Sequence, residues 1–476
     1  MKNVKLNYLY NIAYQGIVIA TPLITIPHVS RTLGVNGIGK YGFASSICSY
    51  FILFASFGTA IYGQREISYV QNDKFQRSNV FWTIELLSCI TTFMGVLGYI
   101  FFVLISDLPE TTIYWIMLLH IITIAFDITW FFKGTEEFGK IVFKDSVFRI
   151  AQVVCILLFV RSSSHLIRYT LILCLGNLLG NISIWSCIIK KIERPHISMD
   201  SVVRIIPGVF AVFLPTVATT VYTYVDKTML GIITHGETQN GYYEQALKII
   251  HTTTSFVTAL GTVLIPRIGA YYKSNNKGKL QSYMYISFKY VWMSGILFLF
   301  WVLCISKDLV PWFFGNGYEP VIQVLWHMSA IPLFTGLNNT LGLQYLVSIN
   351  RQNEYTFSIV VGIFINMLLN AYLIPIKGAS GAAIASVISE LGILVFLLHK
   401  TRAELDVAHI FAISRNYLFA GVTGYIFVQF LGGNSNLLIC FSEKSLVFVT
   451  AYLSVLFLLR DELFFIIINT VSRIFH

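Results

Sequence analysis

Charge is what this chain has least of. Only 12% of its 476 residues are Asp, Glu, Lys or Arg, about half the share found in a soluble domain. Hydrophobic residues make up 56%, and the mean hydropathy is +0.70. That balance excludes a soluble globular protein and leaves an integral membrane protein with very little soluble mass. Long polar loops are missing as well, so no independent domain hangs outside the bilayer. The seven cysteines (Cys48, Cys89, Cys155, Cys174, Cys187, Cys304 and Cys440) show no CxxC or Cys/His spacing. All lie in or at the ends of apolar runs and read as small core residues, with no metal or disulfide expected. A cleavable leader is not expected either. Lys2 and Lys5 precede an apolar run, but that run lacks a small-residue cleavage site and continues to about Val29 as a retained span.

About fourteen apolar segments of spanning length are present. Their approximate limits are 8–29, 41–63, 80–105, 113–132, 145–160, 168–189, 205–233, 243–266, 284–305, 321–348, 355–375, 380–399, 416–433 and 445–459. The loops between them alternate in charge. One set carries Arg65, Lys74, Arg77, Lys133, Lys140, Lys191, Arg267, Lys273, Lys279, Arg351, Lys400, Arg402 and Arg460; the other is poorer in basic residues and holds Asp107, Glu110 and Glu237. The net charge of +10 therefore reads as topology, and no nucleic-acid partner is expected. The positive-inside rule places both termini in the cytoplasm, which requires an even number of spans. The tail after Arg460 is short for a span and fits a segment lying along the interface.

Against this background the run PTVATTVYTYVDKTMLG (Pro215 to Gly231) is unusual, because it sets Asp226 and Lys227 side by side before its hydrophobicity has ended. GYYEQALKII (Gly241 to Ile250) opens the next segment with Glu244 and Lys248. An ion within a span costs about 2.5–3.5 kcal/mol on insertion scales, so its retention points to function. Adjacent helical residues point about 100° apart, so Asp226 and Lys227 cannot pair within one helix. Glu244 and Lys248 are spaced i, i+4, and mutual neutralisation is the plainer explanation for them.

A diverged copy of this hairpin lies near the N-terminus. PLITIPHVSRTLG is followed by GKYGFASSI, so that Gly39, Tyr41, Ala44 and Ile47 fall on Gly241, Tyr243, Ala246 and Ile249, with Arg31 near Lys227. Further on, GTAIYGQREISYVQNDK (Gly58 to Lys74) falls on GTVLIPRIGAYYKSNNK (Gly261 to Lys277). Both copies start on the same side, which makes them parallel repeats, and transporters place substrate where such repeats meet. Each leading span carries two prolines, Pro22 and Pro27 in one and Pro207 and Pro215 in the other. These are candidate hinges, a static kink being the plainer alternative. From Pro207 to Asp226 is about 28 Å of helix, so Lys227 is expected in the outer half of the bilayer.

The pairing of YTYVDKTMLG with GYYEQALKI resembles the bacterial polysaccharide-unit flippases of the multidrug/oligosaccharidyl-lipid/polysaccharide exporter superfamily. DITWFFKGTEEFGKI (Asp127 to Ile141) is similar to a second signature of that family, and INMLLNAYLIPIKGASGAAIASVISE (Ile365 to Glu390) to a third, with Asn366, Asn370, Pro375, Gly378, Gly381 and Glu390 in place. The resemblance covers nearly the whole chain to about residue 400. It implies an all-α membrane protein of fourteen transmembrane helices, with two pseudo-symmetric six-helix lobes around a central cavity and two peripheral helices. On that basis the lobes are expected at 1–195 and 196–400, with 401–476 outside them. It also implies flipping of an undecaprenyl-diphosphate-linked oligosaccharide across a bacterial plasma membrane for O-antigen or capsule assembly. A polysaccharide polymerase and a chain-length regulator are then expected partners, beside membrane lipids.

The chemistry of such a substrate suits the unusual residues. A diphosphate calls for cations, and Lys and Arg bind phosphate through charge-assisted hydrogen bonds. Arg31, Lys40, Lys227 and Lys248 are the candidates, although Arg31 and Lys40 also fit outer-loop residues that snorkel to water. Tyr222 and Tyr224 are candidates to stack on sugar, against the plainer reading of an interfacial belt. Asp226, Glu244 and Asp127 are candidates for coupling to Na+ or H+; no other cofactor is expected. For Asp127 and Glu85 a structural ion pair with Arg149 or Lys133 is the plainer explanation. Histidines within spans (His28, His120, His251, His327) read as packed and neutral, and Asn366 and Asn370 as hydrogen-bonding between helices. A major-facilitator carrier would have about twelve spans and a basic Gly/Asp loop that QREISYVQNDK lacks. A polymerase or glycosyltransferase would be an enzyme with a long outer loop or an exposed acidic pair. A multidrug exporter of the same superfamily is the nearest rival, with a less cationic cavity.

Reporter fusions test the topology. Fusions at residues 236, 307 and 376 are expected to report outside, and those at 72, 192, 275 and 402 inside; a reversed pattern would overturn the assignment of loops to sides.

Overall fold

In hydrocarbon a backbone amide has no water to bond, so a spanning segment must satisfy its N–H and C=O groups within its own helix. The computed structural model describes residues 4–108, 110–189, 191–193, 198–234, 237–432 and 436–475, and all regular structure among them is helical. The chain forms two compact units, Met1–Thr228 and Met229–His476.

The first unit contains α1 (Val4–Ser56), α2 (Thr59–Tyr69), α3 (Lys74–Ile105), α4 (Thr111–Ile122), α5 (Thr129–Gly134), α6 (Phe138–Phe159), α7 (Leu166–Ile184) and most of α8 (Met199–Thr234). The second holds α9 (Glu237–Lys273), α10 (Lys277–Phe314), α11 (Pro320–Met328), α12 (Ile331–Asn339), α13 (Gln352–Lys377), α14 (Ala379–Thr401), α15 (Val407–Ala412), α16 (Ser414–Gln429), α17 (Leu437–Leu458) and α18 (Glu462–Phe475). Among the described residues, eleven helical stretches are long and apolar enough to cross a membrane. The kink at Gly34 divides α1 in two, and the more polar α6 and the 16-residue α16 complete the fourteen spans expected.

The boundaries depart from the hydropathy pattern in instructive ways. No loop separates the first two apolar runs. Helix passes directly into helix at Gly34 (φ 68°, ψ 177°), a conformation that lacks a penalty only for glycine. The second run instead breaks at Phe57 (φ 44°) and Gly58 (φ 80°), from which α2 starts. The last span begins at Leu437, well before 445, and so takes in Glu443 and Lys444. Lys444 is tolerated there because its ammonium meets Asp308 Oδ2 at 2.6 Å. All four candidate hinge prolines lie inside helices as expected, Pro22 and Pro27 in α1 and Pro207 and Pro215 in α8. Beside them Thr21, Thr25 and Thr216 turn their hydroxyls onto carbonyls one turn back, a pairing that bends helices.

Helix α3 shows how each span divides its faces. Phe81, Ile84, Ser88, Thr92, Gly95, Tyr99 and Val103 follow helical spacing and are buried, whereas Phe93, Leu97, Phe101 and Leu104 follow the same spacing and are exposed. An apolar stripe of that size left open on a helix marks a lipid-facing side. Inside the unit, Phe81 stacks on Trp130 (5.4 Å between centroids) and meets Phe131 edge-on (5.5 Å). Trp130 lies so close to Gly63 that a Cβ there would fall 2.5 Å from the ring.

The loops predicted to share a side are tied together. In the first unit Arg77 donates to the carbonyls of Gln71 (2.6 Å) and Lys191 (2.8 Å), Trp82 to that of Glu193 (3.1 Å), and Lys191 pairs with Glu137. Lys40 pairs with Glu110, and His28 Nε2 donates to the Val160 carbonyl (2.8 Å), joining loops of the opposite set. In the second unit Arg351 clamps Glu354 (2.7 Å) and Glu404 (2.7 Å), drawing the start of α13 and the end of α14 together. Helix α18 forms in the tail and is held by Lys289 through Glu462 (2.5 Å).

Glu137 gives this end of the first unit a pH dependence. Burial alone would push its carboxyl up, but the ammoniums of Lys191 and Lys140 outweigh burial and hold it below the usual carboxylate range. A carboxyl lowered by folding contributes stability that is complete above its unfolded value, about 4.3, and is lost as pH falls through the folded value. Thermal unfolding of wild type and Glu137→Gln is therefore expected to differ by a constant amount at neutral pH, on the order of 1 kcal/mol. The two curves should converge in acid; a gap that widens in acid would refute the pairing.

Candidate functional site

The conspicuous run of α8 packs on the second half of α1 and on α2. Phe213 lies against Phe57 (4.8 Å) and Phe54 (6.1 Å), and a Cβ at Gly58 would stand 3.1 Å from the Phe213 amide nitrogen. Farther along, the Thr228 hydroxyl lies 3.1 Å from Ser46 Oγ and 3.1 Å from the Tyr50 hydroxyl. Those contacts fix the rotation of α8, and so the direction of the ions just before Thr228. Asp226 is 7% exposed and within electrostatic range of Tyr50. Lys227 is half-buried, its ammonium over the Tyr224 ring 5.7 Å from the centroid. Tyr224 is one helical turn earlier on the same face, so ring and ammonium meet as a cation–π pair worth about 0.5–2 kcal/mol. The structure thus brings Tyr224, Asp226 and Lys227 together with Ser46, Tyr50 and Thr228. Tyr222 is half-buried on the same helix.

The remaining candidates are more dispersed. Arg31 is exposed and lies one turn before the kink at Gly34. Lys40 lies after the kink and already has a carboxylate opposite it in Glu110. In the second unit Glu244 and Lys248 are half-buried on α9. Tyr243, the repeat partner of Tyr41, is buried and shares a 3.0 Å hydrogen bond with Ser386. Asn366 and Asn370, expected to bond across helices, bond to each other along α13 (2.9 Å).

Asp127 stands at a break. After α4 the chain makes one 3-10 turn over Thr123–Phe126, and Asp127 is extended (φ −82°, ψ 92°) before α5 resumes. Its Oδ1 accepts from the Thr129 amide (3.0 Å) and hydroxyl (2.6 Å), which caps the new helix. The ion pair with Arg149 or Lys133 expected for Asp127 and Glu85 is not formed among the described residues: Asp127 is used as this cap, and Glu85 is buried with neither carboxylate oxygen in a hydrogen bond. The carbonyls freed by the break are collected by α7. Asn181 Nδ2 donates to the Thr123 carbonyl (3.3 Å) and Trp185 Nε1 to that of Phe126 (3.0 Å). Lys144 on α6 holds Asn181 in turn (3.0 Å). Asn181 and Trp185 did not stand out in the sequence, where the one signal was a polar group within an apolar run, as Tyr50 also is, and Lys144 reads there only as a basic loop residue.

Comparison with known proteins adds to this geometry. The family described as "Polysaccharide biosynthesis protein" matches residues 4–272. A proposed O-antigen transporter of Escherichia coli (strain K12) is 24% identical over 393 residues, covering 81% of this chain and 93% of that protein. Among solved structures, the lipid II flippase MurJ in an inward closed conformation superposes with a TM-score of 0.79 at 17% identity, covering 95% of this chain and 99% of that one. An inward-facing multidrug resistance MATE family transporter of the MOP superfamily gives 0.63 at 13% identity, covering 86% and 96%. At these identities the two structures speak for the fold alone.

Replacement of Asn181 by Leu removes the donor to the Thr123 carbonyl and one of the two oxygen partners of Lys144, the other being Asp145. We expect a loss of about 1–3 kcal/mol, the cost of leaving buried polar groups unmet, read as a lower midpoint of thermal unfolding. An unchanged midpoint would mean that the break is held by other contacts.

Proposed function

Because the chain belongs to the polysaccharide biosynthesis protein family, we propose that it is a flippase that carries undecaprenyl-diphosphate-linked oligosaccharide units from the cytoplasmic to the outer leaflet of a bacterial plasma membrane, for O-antigen or capsule assembly. The observation that carries this reading is Lys227, an ammonium retained deep in an apolar helix over the ring of Tyr224 and next to the buried Asp226. A diphosphate brings about two negative charges, and crossing bare hydrocarbon with them would be prohibitive. A cation fixed within a span lowers that barrier, while the polyprenyl tail stays in lipid. In this reading Lys227 and its repeat counterpart Arg31 receive the diphosphate, Lys248 is a further phosphate ligand, and Lys40 serves when Glu110 releases it. Tyr222 and Tyr224 offer ring faces to sugar.

The transport cycle we propose is alternating access, with flexing at Pro22, Pro27, Pro207 and Pro215. Those prolines flank threonine-softened turns, which is where helices bend most cheaply. A cation, Na+ or H+, biases the cycle only if it binds the two states with different affinity. Asp226 is the foremost candidate to hold it, with Glu244 and Asp127 as alternatives. Both termini lie in the cytoplasm, and a polymerase and chain-length regulator act on the delivered unit. A multidrug exporter is the rival reading, and the polysaccharide family match weighs against it.

Complementation of a flippase-deficient strain tests the reading, with abundance checked by immunoblot. Lys227→Ala is expected to reduce polysaccharide export by about tenfold or more, equivalent to about 1.4 kcal/mol of barrier. Lys227→Arg should retain most export, and Asp226→Asn should impair it. Normal export by Lys227→Ala at normal abundance would make the charge structural.

A further inference from the structure

One acidic group takes no part in that scheme. Glu85 lies on α3, about 16 Å along the helix from its start at Lys74, and is 3% exposed. Its neighbours Ile84 and Leu87 belong to the apolar core formed with Phe81, Trp130 and Phe131. Neither carboxylate oxygen has a hydrogen-bond partner, and both are sealed from solvent. Helix α3 is packed by α1, α2, α4 and the 3-10 turn after α4. Among the described residues, the charge these elements bring to bear on Glu85 is that of Asp127 at the break, and it is negative. The other titratable neighbour is Cys89, one turn along α3.

An ionised carboxylate enclosed by aromatic and aliphatic side chains, facing a second carboxylate and no cation, would cost several kcal/mol. Two carboxyl groups in such unlike settings divide their roles. Asp127 is half-buried and its carboxylate accepts from the Thr129 amide and hydroxyl. Glu85 has neither water nor donors. We propose that Glu85 is a proton-binding site of this protein, protonated in the state described here, with Asp127 as the charge that responds to it across the break in the fourth span. A metal cation fits less well: hard cations take about six oxygens, and here one Asp127 oxygen is already committed to Thr129 amid apolar side chains.

The break makes this proton a variable of the structure. The segment at Asp127 is held by two side-chain contacts, from Asn181 and Trp185, the first steadied by Lys144, and not by a continuous helix. Movement there admits water to Glu85 and lets the proton leave, and reclosure requires a proton again. The transport reading is needed for what that proton drives, not for its presence.

The test is infrared spectroscopy of the full chain in lipid vesicles, which reads protonated carboxyl groups without any transport assay. At neutral pH we expect a carboxylic-acid C=O band that is absent from Glu85→Gln. In Asp127→Asn the proton concentration at which the band vanishes should change by about tenfold, as for two groups that titrate as a pair. Should Glu85→Gln fold poorly, Glu85→Asp keeps an acid at the site and must shift the band's frequency. Absence of the band from wild type, its persistence unchanged in both Glu85 variants, or an identical titration in Asp127→Asn would each overturn the proposal. The expected spectra together with no export by the wild-type chain would count against the flippase reading alone.

Discussion

Water's absence from the bilayer governs this molecule. Every backbone amide must close on its own helix, and every ion must find a countercharge, a hydrogen bond or a helix end. Most of the few charges obey visibly. Lys444 is answered by Asp308, Lys144 by Asn181 and Asp145, and Arg351 by two glutamates at once. Where the backbone itself departs from helix, at Thr123–Asp127, side chains from α7 take up the freed carbonyls. Glu85, whose carboxylate oxygens have no hydrogen-bond partner, and the α8 ions beside Tyr224 and Tyr50 are where function is sought.

Helix number was legible in the sequence because a span needs about twenty apolar residues, and a pattern of that length survives local irregularity. Loop charge was legible for a similar reason, and the ties among Arg77, Lys191, Glu193 and Glu137 show that loops grouped by charge do meet. Boundaries were less so. Gly34 turns the chain without any polar loop, and Lys444 sits inside a helix because a partner distant in sequence neutralises it; hydropathy sees neither geometry nor partners. The repeat was real in sequence yet unequal in use. Gly58 supplies a positive φ that starts α2, whereas its counterpart Gly261 lies within α9, where a Cβ would fall 2.6 Å from the Gln344 amide.

The site was legible only as residue types. Asp226 and Lys227 stand out wherever they are read, but that Lys227 lies over Tyr224, and that Thr228 locks the helix against Ser46 and Tyr50, depends on rotation about the helix axis. Asp127 was legible as an ion in a span but not as a cap. Glu85 drew attention only as the half of an ion pair, and the pair does not exist among the described residues. Its meaning comes from what surrounds it, and a single sequence does not list a residue's neighbours in space.

In the transport cycle proposed above, the two features of the first unit would complement each other. Lys227 would offer a cation to an anionic headgroup, and Glu85 would hold a proton that is released when the broken helix opens. The most direct test of the whole account is a translocation assay. The purified chain is placed in vesicles carrying undecaprenyl-diphosphate-linked oligosaccharide, and the sugar exposed on each leaflet is followed with a membrane-impermeant lectin. The account predicts movement of the lipid-linked sugar between leaflets that depends on Lys227. Vesicles in which the sugar stays on its original leaflet, while the same protein moves a cationic drug, would contradict it.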